Sequence, residues 1–126
     1  MVFLDTNILL EIILVNRSRF AQVKHFLEMI REETAISALT IHLVMHFGRK
    51  EQADDAFLHA TLSQSELLAL TPQDYEWAAS NEQGRDFEDA LQVAMAIRSG
   101  CTSFVTLDTV LAKRYAELPI RIIVPD

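Results

Sequence analysis

The chain has 126 residues, 50% of them hydrophobic, with 18 acidic against 11 basic residues and a net charge of −7. That is enough to bury a core in one domain, 1–126, without disulfides or a structural metal, and the lone Cys101 excludes an internal disulfide. The acidic balance argues against broad nonspecific nucleic-acid binding, and no apolar run approaches the roughly 20 residues that span a bilayer. The amino terminus shows no basic leader or small-residue cleavage site, so the expectation is a cytoplasmic protein without a membrane partner.

Val2-Phe3-Leu4 is an apolar run of strand length, and Asp5 falls where it ends and a helix-like pattern begins. Helices are predicted near 6–15 and 18–31. The first of these, with Ile8, Leu9, Leu10, Ile12, Ile13 and Leu14, is more apolar than one sheet-facing stripe requires, so it either meets a partner or lies deep in the monomer. A strand near 34–37 (Thr34-Ala35-Ile36-Ser37) precedes helices near 40–48 and 51–61, then a strand near 65–70 and a helix near 72–80 opened by Thr71-Pro72. The chain closes with a helix near 86–98, a strand near 103–106, a helix near 108–116 and a strand near 121–124. Gly100 suits a left-handed turn after Ser99, and Pro119 stops the last helix. Strands alternating with helices imply an α/β fold, a parallel sheet covered on both faces.

Between Ala90 and Ile97 the only polar residue is Gln92, so this helix must be largely surrounded by protein. Asp86 and Asp89 lie at its amino end, where free amides and the helix dipole favour negative charge. Three residues apart, they also share a helix face and can point into one site. Phe104-Val105-Thr106-Leu107-Asp108 repeats the order of strand, acid and helix seen at Asp5. Asp5 and Asp86 also suit a helix N-cap, and Asp89 a first turn. Each also falls where a parallel sheet gathers ligands, outside the carboxyl ends of strands, and clustered carboxylates there are the makings of a divalent-metal site. Arg17, Arg19, Lys24, Arg49, Lys50 and Arg85 are the basic residues available to cluster locally around such a site, although each also suits a solvated surface. Cys101 suits a buried apolar position.

Three segments, Phe3-Leu4-Asp5-Thr6-Asn7, Asp86-Phe87-Glu88-Asp89-Ala90-Leu91 and Val105-Thr106-Leu107-Asp108, give the chain its resemblance to the PIN domain family, most closely the small VapC-type ribonuclease toxins of bacterial toxin–antitoxin pairs. The resemblance covers essentially the whole length. It implies a three-layer α/β/α sandwich on a five-stranded parallel sheet, acids converging on Mg²⁺ or Mn²⁺, and hydrolysis of RNA phosphodiesters. Asp5, Asp89 and Asp108 match the family's acids, Asp86 an additional acid of some members, and Thr6, Asn7 and Thr106 small polar residues that support the site. An antitoxin partner and a homodimer are further implications. The family's second acid normally follows a serine, two residues, a threonine and two residues; Ser37 and Thr40 fit, but Leu43 holds the glutamate position.

Leucine offers neither charge nor lone pair to a hard cation. His42 and His46 lie near it on the same helix and would tilt a site towards manganese or a softer metal, and Asp86 could fill the gap instead. Leu43 also motivates a second reading, a PIN-like module that binds RNA or a protein without catalysis. A third, a phosphoryl-transfer or phosphatase domain, also uses strand-end aspartates, but the chain has no second aspartate two residues after Asp5 and no lysine at a late strand end.

Overall fold

A computed structural model describes residues 1–82, 84 and 86–126. Its strands are β1 (Val2–Leu4), β2 (Thr34–Ser37), β3 (Glu66–Leu68), β4 (Ser103–Val105) and β5 (Arg121–Ile123). They form one five-stranded sheet in the order β3-β2-β1-β4-β5, with every pairing parallel. The chain runs outward from β1 to β3 and returns to place β4 on the other side of β1. The direction of winding therefore reverses beside β1, where open α/β sheets form their ligand crevice.

Among the described residues seven helices cover this sheet: α1 (Thr6–Ile13), α2 (Phe20–Met29), α3 (Ala38–Lys50), α4 (Asp55–Leu62), α5 (Pro72–Asn81), α6 (Phe87–Arg98) and α7 (Thr109–Arg114). Side chains alternate across a strand, so each strand feeds two cores. Val2, Leu4, Ile36 and Val105 join Ile8, Leu9, Val23, Val44 and Leu58 under α1 to α4. Phe3, Ala35 and Phe104 join Val93, Met95, Leu111 and Tyr115 under α5 to α7. The rings of Phe3 and Phe104, paired across β1 and β4, stack at 5.0 Å. The three-layer sandwich is thus built directly from the two-residue period.

The apolar surplus of α1 is largely absorbed inside the monomer. Ile8, Leu9, Ile13 and Leu14 are buried, and Leu10 and Ile12 pack against the same cluster. The exposed apolar side chains near its end are instead Val15, Phe20 and Phe57. α3 starts at Ala38, two residues before the sequence pattern suggests, because Ser37 caps it through its hydroxyl. It ends before Gln52, whose positive φ of 63° turns the chain towards α4. α3 and α4 meet at Gly48, where an added methyl would come within 2.7 Å of the fully buried Leu58.

Thr71 and Asp74 close a capping box around Pro72, and Gly100 adopts φ +73° after α6, as their residue types require. Cys101 is buried and unpaired. No helix among the described residues is long and apolar enough to cross a membrane.

Candidate active site at the carboxyl edge of the sheet

The alternation that sends Phe3, Ala35 and Phe104 towards α6 also carries the residues two further on, Asp5, Ser37 and Thr106, to that side of the sheet's carboxyl edge. Asp5 is only 4% exposed. It caps α1 through Oδ1, which accepts from the Thr6 amide at 2.7 Å. Oδ2 accepts from the Thr106 hydroxyl at 2.8 Å and from Asn7 Nδ2 at 3.2 Å. Asn7 in turn accepts from the Leu107 amide at 3.1 Å, while Thr106 Oγ1 accepts from the Asp108 amide at 3.0 Å. Asn7 and Thr106 therefore tie the start of α1 to the turn that carries Asp108.

Asp108 caps α7, its Oδ1 accepting from the Val110 and Leu111 amides, and Asp86 caps α6, its Oδ1 accepting from the Asp89 amide. The capping and site assignments are compatible, because in both residues the cap engages one carboxylate oxygen.

The electrostatics show that these acids feel one another. Burial pushes Asp5 up to about 6, against hydrogen bonds from Thr106 and Thr6 that favour its charge; the like charges of Glu88 and then Asp108 push it further up. Burial and the charges of Asp5, Asp86 and Asp108 raise Asp89 to about 7, with Arg114 acting in the opposite direction. The charge of Asp5 is the largest of the like-charge effects on Asp89, so the two acids titrate as a coupled pair.

A second polar cluster adjoins the first. Gln92 Nε2 donates to Thr6 Oγ1 at 3.4 Å, Thr6 and Thr40 share a hydroxyl bond of 2.8 Å, and Thr40 Oγ1 donates to Gln92 Oε1 at 3.5 Å. With Thr6 donating to Thr40 the three bonds close into a ring running one way round. The other Nε2 hydrogen of Gln92 reaches Glu88 Oε1 at 3.3 Å. A reversed amide would set the Gln92 carbonyl against that carboxylate, so Glu88 fixes the orientation. Ser37 joins at Thr40, accepting from its amide at 3.2 Å.

Sequence reasoning missed Glu88, Gln92 and Arg114 as members of this region. The signal for Gln92 was present: a lone amide in a buried apolar helix must find partners. Arg114 offered no such signal. It lies 5.8 Å over the Tyr115 ring, and its Nη1 is buried with no hydrogen-bond partner among the described residues.

The basic residues expected to gather locally mostly do not. Lys24 and Arg49 pair with Glu28 and Asp55 on the surface, and Arg17 faces Glu11. Arg19 alone of these reaches the site's rim, donating to the Leu107 carbonyl at 3.0 Å. Arg85 lies outside the described residues. His42 and His46 are exposed on α3, their rings 6.2 Å apart.

The PIN domain family model matches residues 2–118. The chain belongs to the PIN domain family. No curated protein matches the sequence. Among solved structures, a toxin–antitoxin complex from Klebsiella pneumoniae superposes with a TM-score of 0.79 at 22% identity, covering 100% of this chain and 98% of that one. A sarcin-ricin loop cleaving VapC toxin of Mycobacterium tuberculosis gives 0.75 at 15% identity, covering 96% of this chain and 99% of the other. A promoter-bound VapBC complex from Rickettsia felis gives 0.73 at 17% identity, with 100% of both chains covered. The fold is thus that of the VapC toxins.

In this PIN frame the donor chemistry suits Mg²⁺ or Mn²⁺: Asp5, Asp86, Glu88, Asp89 and Asp108 offer only hard oxygen, from elements that converge on one edge. Among the described residues no three His, Cys, Asp or Glu side chains stand together at metal-holding distance. A shared ion therefore requires the carboxylates of α6 and α7 to turn towards Asp5, which for Asp86 and Asp108 leaves the capping oxygen free to stay on its amides.

Proposed function

We propose that the protein is a metal-dependent endoribonuclease of the PIN family, the toxin of a type II toxin–antitoxin pair acting in the cytoplasm. The observation that carries this reading is the buried Asp5, tied through Thr106 and Asn7 to the turn that bears Asp108, at the winding reversal of a PIN sheet. Asp5, Asp89 and Asp108, with Asp86 at the rim, would hold Mg²⁺ or Mn²⁺. When bound, such an ion supplies a water of lowered pKa and stabilises charge on the leaving oxygen of an RNA phosphodiester. Asn7 and Thr106 hold Asp5 in one orientation, and Thr6 fixes the start of α1 through its amide and hydroxyl. Arg114 brings a guanidinium beside Asp89, where an RNA phosphate would meet positive charge.

An antitoxin and a second copy of the chain belong to the same proposal. The solved toxin–antitoxin complexes from K. pneumoniae and R. felis support the antitoxin. Exposed Val15, Phe20 and Phe57, which border one cleft, offer apolar surface to a partner. Leu43 favours the second reading, a PIN domain that binds RNA or protein without cleaving it.

Calorimetric titration of metal-free protein with Mn²⁺ and then Mg²⁺, with Asp89→Asn as control, separates the two. Saturable binding lost in the variant, accompanied by metal-dependent RNA cleavage, is the expected result. Absence of binding in the wild type would leave the non-catalytic module.

A further inference from the structure

Leu43 leaves the α3 side of the site without its acid, and α6 brings one there. Leu43 follows Thr40 by three residues, so both lie on one face of α3. That face is located by the Thr40 hydroxyl, which bonds Thr6 and Gln92. Glu88 precedes Gln92 by four residues and shares its face of α6, and the two side chains are bonded at 3.3 Å. Glu88 is therefore the carboxylate attached to the polar ring beside α3.

We propose that Glu88 substitutes for the missing α3 glutamate as a ligand of the divalent cation, a role that rests on the metal-dependent reading above. Asp5 then has acids on two flanks: Glu88 from the side of Thr40, and Asp89 with Asp108 from the side of α7. Glu88 is tied through Gln92 to Thr6, the residue whose amide bonds Asp5. The rival substitutes are placed less well. Asp86 is exposed at the cap of α6, and His42 and His46 are exposed on α3. The sequence change from glutamate to leucine on one helix is thus matched by a glutamate on another, and the amide of Gln92 orients it.

The test is Mn²⁺ calorimetry on the full chain, metal-free, in four forms: wild type, Glu88→Gln, Asp89→Asn and Glu88→Gln combined with Leu43→Glu. Glutamine at 88 keeps an acceptor for Gln92 and removes the charge. Thermal melting of each metal-free form checks the fold. The expected result is an affinity loss of about 100-fold in Glu88→Gln, the upper end of what a merely orienting neighbour causes, with most of it restored by Leu43→Glu. Wild-type affinity in Glu88→Gln, with binding lost in Asp89→Asn, overturns the role of Glu88 and leaves the metal centre standing. A loss that Leu43→Glu does not repair overturns the equivalence of the two positions. A wild type that binds no Mn²⁺ overturns both the centre and this assignment.

Discussion

Two buried aspartates at helix beginnings, Asp5 before α1 and Asp74 in the first turn of α5, have opposite electrostatics. Asp74 is 1% exposed; burial raises its pKa, but Arg98 bonds both its oxygens at 2.8 and 3.1 Å and Thr71 donates twice more, so the net shift is downward. Asp5 is about as buried and also accepts hydrogen bonds, yet it rises to about 6: burial outweighs those bonds, no guanidinium offsets it, and the like charges of Glu88 and Asp108 add to it. At Asp74 the hydrogen bonds of Arg98 and Thr71, with the charge of Arg98, outweigh burial; at Asp5 the neutral donors Thr106 and Thr6 do not. The fold supplies a cation at Asp74 from its own chain and leaves Asp5 short of one, which is the condition in which a metal ion has most to contribute.

Loss of Arg98 has the largest expected effect. Arg98→Met leaves Asp74 buried without its partner and is expected to cost about 3 kcal/mol in urea unfolding at pH 7. Because the folded pKa of Asp74 is depressed, the stabilisation is present above the ordinary carboxylate range and is lost as pH falls through the lowered value, so the difference between variant and wild type should shrink in acid.

Asp5 runs the other way. An acid whose folded pKa is raised favours the fold at low pH, and that contribution disappears as pH rises from the ordinary value through about 6 for Asp5 and about 7 for Asp89. Metal-free protein should therefore melt at progressively lower temperature between about pH 4 and pH 7. Asp5→Asn should flatten the lower part of that decline and raise stability at pH 8 by about 1–2 kcal/mol, the relieved charge being partly offset by a weakened hydrogen bond to Thr106 or Asn7. An unchanged pH profile would show that Asp5 carries no such strain. The smallest effect is Thr106→Val, which removes one donor that favours charged Asp5; its pKa, followed by carboxyl carbon resonance, should climb above the wild-type value, at a stability cost of about 1 kcal/mol.

The layered fold was legible because its signals are local. Apolar triplets such as Val2-Phe3-Leu4, the proline after Thr71 and the turn at Gly100 act within a few residues. Asp5 and Asp108 were legible as strand-end acids for the same reason, and their meeting across adjacent β1 and β4 follows from the grammar they share. Glu88 was not. Its significance depends on α6 lying against Thr6 and Thr40, residues 82 and 48 positions away in the sequence, and no local pattern records that approach. Arg114 was invisible for a like reason, since only the packing of α7 brings a surface-type residue beside Asp89. The surplus of apolar residues in α1 left partner contact and monomer burial equally open; the two-core packing shows that most of it faces inward.

Gly48 lets α3 and α4 approach so closely that a Cβ there would meet Leu58, itself fully buried, at 2.7 Å. The helix that Ser37 caps and that carries Thr40 and Leu43 is therefore seated against α4 by the absence of a side chain at position 48. Enlarging that residue is expected to displace the Leu58 side chain or push α3 and α4 apart, without altering any group that touches Asp5. The seating of the helix that brings Thr40 to the site thus rests in part on a residue that bears no side chain.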